Sequence, residues 1–319
     1  MAVHHNVING IAFPEMVASA EQLAEVKKLP VRESDVYLCT FPKSGTHWAH
    51  KICTVLLDHP VFMSPVEFNP WHSSGGTWKG KGMAKGEGLP AYARNNPDAQ
   101  LPHEEIPDPR IVASHLPYTL LPAGVDGCKV VYMTRDLKDI CVSYHEFANQ
   151  FRAAAEAPLL SLEEVADRYA RCLSLDPAQN LAADVHYSGP LWHAKTYADA
   201  AKSHPRMHFM TYEALTADPI REIQRLAEFL GVPVDERRAD EVRGLTSFNT
   251  MKQEQAEKDE AKGKGKGKGP KWSNALYSQG VTGRGKANLT PEQAQRIDEA
   301  AADGLREVGH LFGGSLIER

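Results

Sequence analysis

The chain has 319 residues, 42% hydrophobic and 24% charged, proportions ordinary for a globular protein. Its formal net charge of −5 excludes binding of nucleic acid through overall charge, so any anion site has to be local. No run approaches the ~18 apolar residues of a bilayer span, and the opening MAVHHNVINGIAFPEM has neither the basic nor the apolar region of a signal peptide.

In chain order, Ser19 with Gln22 marks a first helix by its capping-box spacing. Val36–Thr40 reads as a buried strand, followed by a Gly-containing loop and a helix with Trp48, Ile52, Val55 and Leu56 on its apolar side. Further strands are predicted at 111–114, 129–133 and 207–210. Ser161 with Glu164 opens another helix. Asp218-Pro219 opens one carrying Ile220, Ile223, Leu226 and Leu230, with Gly231 as its stop. Thr290-Pro291 with Gln293 starts the last, with Ala294, Ile297, Ala301, Leu305 and Val308 in steps of three or four. Alternating strands and helices predict an α/β fold with a mostly parallel sheet covered on both faces, in one domain over residues 1–319. Gly- and Lys-rich composition predicts mobile loops near 72–88 and 253–275, the second around the low-complexity run 262–271. Cys39, Cys53, Cys128, Cys141 and Cys172 form no CxxC pair; they read as buried free thiols of a reducing compartment and predict a cytoplasmic chain.

Two segments carry chemistry. Residues 40–48, TFPKSGTHW, run from strand to helix, so unpaired N–H groups at the helix start, the helix dipole and Lys43 favour an anion. The loop is not a Walker A, because Lys43 precedes Gly45, and no strand ends in an obvious Walker B Asp. In residues 129–147, a strand ends at Arg135 and a helix carries Asp139 and Ser143 on one face. Arg135 with Ser143 suits a phosphate monoester; Arg135 alone reads equally as an ion-pair partner of Asp136 or Asp139.

Together these motifs resemble the cytosolic sulfotransferase family, which uses 3′-phosphoadenosine 5′-phosphosulfate (PAPS) and releases adenosine 3′,5′-bisphosphate (PAP). The resemblance is collinear from about residue 30 to the last helix. It implies a P-loop-like sulfotransferase fold. Lys43, Ser44, Gly45, Thr46, His47 and Trp48 would form the 5′-phosphosulfate loop, and Arg135 and Ser143 the 3′-phosphate site. Tyr212 would contact the nucleotide, and Thr246 and Phe248 would hold adenine, with Trp48 opposite. Gly280 and Arg284 belong to the C-terminal phosphate motif.

There are departures. Ala113 stands where the family usually has Lys, His47 where it usually has Thr, and Ser278-Gln279 where it usually has an Arg-Lys pair, so Arg284 or nearby lysines would supply that charge. The dimer signature is reduced to Lys286, Thr290-Pro291 and Gln295, leaving monomer or homodimer open.

The resemblance implies sulfuryl transfer to a hydroxyl or amine of a small molecule, with His115 as a base of near-neutral pKa and Lys43 stabilising the leaving oxygen. No metal is required, and no His/Cys/Asp cluster offers one. Neither nucleic acid nor membrane is an expected partner. Phe68, Trp71, Trp78, Phe147 and Phe151 either line an acceptor pocket or belong to the core. The lysines from Lys252 to Lys271 either attract the anionic donor or form a solvated insertion. The alternatives are a Mg-dependent small-molecule kinase and a catalytically weak nucleotide-binding homologue.

Overall fold

Four short strands build the centre of the molecule: β3 (Val36–Thr40), β4 (Ile111–Ser114), β5 (Lys129–Thr134) and β6 (Met207–Thr211), after an N-terminal hairpin of β1 (His5–Ile8) and β2 (Ile11–Pro14). They belong to a computed structural model that describes residues 5–14, 20–58, 108–181, 186–262 and 271–312. The four run parallel in the order β4-β3-β5-β6. β5 and β6 each run one residue past the predicted end.

Alternation along the strands feeds two apolar layers. Tyr37, Cys39, Val112, Val130 and Tyr132 join one. It is completed by α1 (Ala20–Lys28), α3 (Leu137–Ala154), α4 (Leu162–Ala170), α6 (Pro190–Ala201) and α13 (Pro291–Val308). Val36, Leu38, Ile111, Val131 and Met133 join the other, under α2 (Thr46–Leu56), α8 (Pro219–Leu230) and α9 (Glu236–Leu245). Both faces are therefore covered, which explains why the strands read as nearly unbroken apolar runs. All five cysteines are free and buried.

Helix ends follow their local signals. Ser161 and Thr290 each form the reciprocal capping box with Glu164 and Gln293. Asp218 caps α8, and Gly231 ends it in the left-handed conformation at φ 83°. Ser19 lies outside the described residues, as does the loop at 72–88. The second predicted loop is corrected at both ends. Residues 253–262 continue α10 (Phe248–Lys262), a run rich in Lys, Glu, Gln and Ala, and Trp272–Leu276 forms α11. Residues 263–270 lie outside the described residues.

The hairpin was not predicted, although its turn, Asn9-Gly10, has the positive φ values (54° and 77°) that favour this pair in two-residue hairpins. Phe13 of β2 packs edge-on against Tyr187, whose ring lies 5.9 Å from that of His115. The hairpin thus braces the histidine from behind. Among the described residues, no helix is long and apolar enough to cross a membrane.

Candidate active site

The chain leaves β3 for β4 on one side of the sheet and then returns to β5 on the other. Open α/β sheets bind ligands at such a reversal, beyond the carboxyl ends of the strands. The loop after β3 turns through Lys43 (φ 71°) and Gly45 (φ 106°). Only glycine fits at 45, where a Cβ would lie 2.9 Å from Met133 Cε and Tyr212 Cδ2. Gly45 gives α2 no side-chain cap, and the Trp48 N–H turns back to the Gly45 carbonyl at 3.0 Å, leaving the positive end of the helix directed at the loop. Ser44 is buried, and its Oγ has no partner.

Lys43 Nζ sits 4.2 Å from the centroid of the Phe147 ring and 3.4 Å from the Ala275 carbonyl oxygen. Desolvation, followed by the charge of Arg135, lowers its pKa to about 7; Glu146 opposes the shift. This ammonium therefore lies among more positive than negative charge.

Arg135, directly after β5, is 5% exposed. It donates to the carbonyls of Val281 at 3.0 Å and Lys43 at 3.4 Å, and its guanidinium carbon lies 4.2 Å from the Tyr212 ring centroid. Of the two ion-pair alternatives, the one with Asp139 forms, at 3.4 Å between buried side chains, and the one with Asp136 does not. Asp136 instead caps α3 by accepting from the Asp139 N–H at 2.9 Å. Asp139 stands 3.4 Å from Arg135 and accepts closer bonds from Gly283 N–H (3.0 Å) and Gly285 N–H (2.7 Å). Arg135 Nε remains buried without a partner.

Arg284, on a segment pinned to α3 through Asp139, is 3% exposed. It donates to Ser278 Oγ at 3.0 Å and to Glu146, and its Nε also has no partner. Gln279 is exposed. Ala113 is fully buried opposite Leu38, so the position of the usual family lysine supplies no charge.

His115 follows β4. Its Nδ1–H donates to the Thr40 carbonyl at 2.9 Å, which makes Nε2 the basic nitrogen. The Thr40 hydroxyl lies 3.2 Å from the same Nδ1 and 2.6 Å from Thr46 Oγ1. Behind it, His193 Nε2 donates to the His115 carbonyl at 3.0 Å, and its Nδ1 accepts from Tyr132 OH at 2.8 Å. Burial, with a smaller contribution from Lys43, lowers the His115 pKa to about 4. The near-neutral expectation is corrected: desolvation outweighs the Thr40 bond, and the imidazole is neutral at pH 7. Desolvation, then Lys43 and His115, takes His47 down to about 3.

The remaining residues are less tightly gathered. Ser143 is buried one turn beyond Asp139 on α3. Trp48 meets Tyr212 edge-on at 5.1 Å, while Phe248 faces Tyr277 at 6.3 Å. Gly280 (φ 68°) lets the Phe248 ring pack directly against it, because a Cβ there would stand 2.1 Å from that ring. The Thr246 hydroxyl is bonded to the Val242 carbonyl at 2.9 Å within α9. Phe147 and Phe151 pair at 4.8 Å; Phe68, Trp71 and Trp78 lie outside the described residues. Thr40, Glu146 and His193 escaped sequence reasoning. Thr40 was visible as the residue opening the loop, whereas the other two carry no local signal.

The model of the sulfotransferase domain family matches residues 33–309. Cytosolic sulfotransferase 17 of Arabidopsis thaliana is 29% identical over 311 residues, covering 91% of this chain and 79% of the relative. Sulfotransferase 1B1 of Mus musculus is 27% identical over 247 residues, covering 76% and 73%. Among solved structures, a mouse sulfotransferase complexed with PAP aligns over 96% of both chains with a TM-score of 0.68 and 22% identity. Retinol dehydratase in complex with androsterone and PAP aligns over 93% of this chain and 88% of its own, with a TM-score of 0.64 and 18% identity. The matched span takes in the phosphate-type loop, the Arg135 strand end and the Arg284 segment, and the chain belongs to the sulfotransferase family, whose chemistry is transfer of a sulfuryl group.

Proposed function

We propose that this chain transfers a sulfuryl group from PAPS to a hydroxyl or amine of a small-molecule acceptor, as a single domain acting in the cytosol. The observation that carries the donor assignment is a set of buried, unpartnered donors on residues gathered about Lys43: Ser44 Oγ, Arg135 Nε and Arg284 Nε. Buried donors are nearly always satisfied, and leaving one unpaired costs roughly 1–3 kcal/mol. Three around a crowded ammonium fit an anion with several acceptor oxygens.

In this reading Ser44 to Trp48 hold the 5′ end, and Arg135, Ser143 and Arg284 the 3′-phosphate. Tyr212, Thr246, Phe248 and Gly280 flank the base. The donor supplies the sulfuryl group. His115 Nε2 takes the acceptor proton, while the Thr40 carbonyl keeps the other ring proton on Nδ1. Lys43 holds the negative charge that develops on the departing phosphate oxygen. The two solved structures, both PAP complexes, support the donor class. Relatives named as cytosolic support the location.

Melting of the purified chain with PAP, ADP, or ATP with Mg tests this. PAP at ~100 times its Kd is expected to add about 2.7 kcal/mol, and Arg135→Ala is expected to remove the gain. A response to ATP with Mg alone sinks the donor assignment and favours a kinase.

A further inference from the structure

The segment 278–286 lacks the basic pair its family usually carries, yet it delivers a cation to the pocket by another route. Gln279 and Lys286 are exposed, whereas Arg284 is turned inward. The backbone on both sides of Arg284 is pinned to α3, since Asp139 accepts from Gly283 N–H and Gly285 N–H. Gly285 is pressed so close that a Cβ would lie 2.3 Å from Lys138 Cβ. Arg135 binds the same segment at the Val281 carbonyl. Two guanidinium groups thus belong to one clamp, and each has a buried Nε–H without a partner.

What aims the second guanidinium is a carboxylate. Asp139, Ser143 and Glu146 are spaced i, i+4, i+7 along α3, a single helical stripe. Glu146 accepts from Arg284, while Ser278 takes the guanidinium from the other side. Two of the three nitrogens are thereby fixed and the third is left for a ligand. Glu146 Oε2 has no partner, so Arg284 is the one group hydrogen-bonded to this carboxylate among the described residues.

We infer that Glu146 is a positioning residue of the donor site: it orients Arg284 so that this guanidinium, together with Arg135, takes the 3′-phosphate of the donor in place of the missing basic pair. The inference rests on the donor proposed above. It predicts an effect opposite in sign to simple electrostatics. A nearby carboxylate should repel any anionic nucleotide, so its loss should tighten PAP and AMP alike. A carboxylate that aims Arg284 is instead needed only where a 3′-phosphate is present.

The test measures PAP and AMP binding by calorimetry on the full chain and on Glu146→Gln, Arg284→Lys and Ser278→Ala, with unliganded melting as the check on folding. Glu146→Gln and Arg284→Lys are expected to lower the preference for PAP over AMP by about tenfold or more, the worth of one charge-assisted hydrogen bond, with AMP affinity within about twofold. Ser278→Ala, the mildest change, is expected to lower it by about threefold. An unchanged ratio in the folded variants overturns the inference, whether both affinities move together or stay put. A wild-type chain that binds PAP no better than AMP overturns the donor assignment itself, a result visible before any variant is made.

Discussion

The two ends of the same parallel sheet each bury an arginine, and they treat it in opposite ways. At the amino ends of the strands, Arg110 and Asp35 are both fully buried. The Arg110 Nε–H donates to Asp35 Oδ1 at 2.7 Å, a second nitrogen pairs with Asp35 Oδ2, and the Pro30 carbonyl accepts at 2.9 Å. Asp35 also accepts from the Arg32 N–H at 2.8 Å. At the carboxyl ends, Arg135 has only a longer ion pair, 3.4 Å from an aspartate whose oxygens accept closer bonds from two glycine N–H groups, and its Nε–H is orphaned. The first arrangement is closed and serves the fold. The second is left incomplete, as the proposed anion site requires. Burial of a charge alone does not separate structure from function; what separates the two arginines is how completely the charge is already answered.

The strongest way to break this contrast is Arg110→Met. It strands Asp35 without its counter-charge and should cost about 3–5 kcal/mol in denaturant unfolding, most of it recovered in Arg110→Met/Asp35→Asn. PAP affinity of the folded fraction should not change. Arg135→Ala should show the reverse: unliganded stability lower by no more than about 1.5 kcal/mol, but PAP binding weaker by about 10- to 100-fold. If it unfolds the chain as severely as Arg110→Met does, the two ends are not different in kind.

A smaller effect sharpens the picture at Lys43. With its pKa lowered to about 7, the free protein holds this group mainly neutral at pH 8 and mainly charged at pH 6. The contribution to stability is therefore present above the ordinary lysine pKa and is lost as pH falls through about 7. A bound anion reverses the depression, so PAP binding should take up about one proton at pH 8 and very little at pH 6. Calorimetry in buffers of different ionisation enthalpy reads this directly. Lys43→Arg should abolish the uptake, because a guanidinium does not titrate in this range.

Much of this was legible because it is local. The parallel strands announced themselves as β-branched runs, and Ser161–Glu164, Thr290–Gln293 and Gly231 marked helix ends by short-range hydrogen bonding. The loop at 40–48 was readable for the same reason: strand, glycine and helix are consecutive. The Asn9-Gly10 turn was equally local and went unread. What stayed hidden depends on the tertiary path. Nothing around Glu146 says that residue 284 will meet it, and nothing around His193 says that it will carry the backbone of residue 115. The pKa of His115 was misjudged because burial is a property of the assembled pocket, not of the residue.

The strand order carries a kinetic consequence. No strand of the central sheet pairs through a hairpin; each partner arrives only after intervening helices have been laid down. Pairings so distant along the chain form slowly, because loop-closure entropy is spent before the contacts reward it. The proposed nucleotide pocket draws Lys43 from the loop after the first of these strands, Arg135 from the end of the third and Arg284 from beyond the last. It can therefore open for business only at the end of folding, which makes nucleotide affinity a clock for completion of the whole chain.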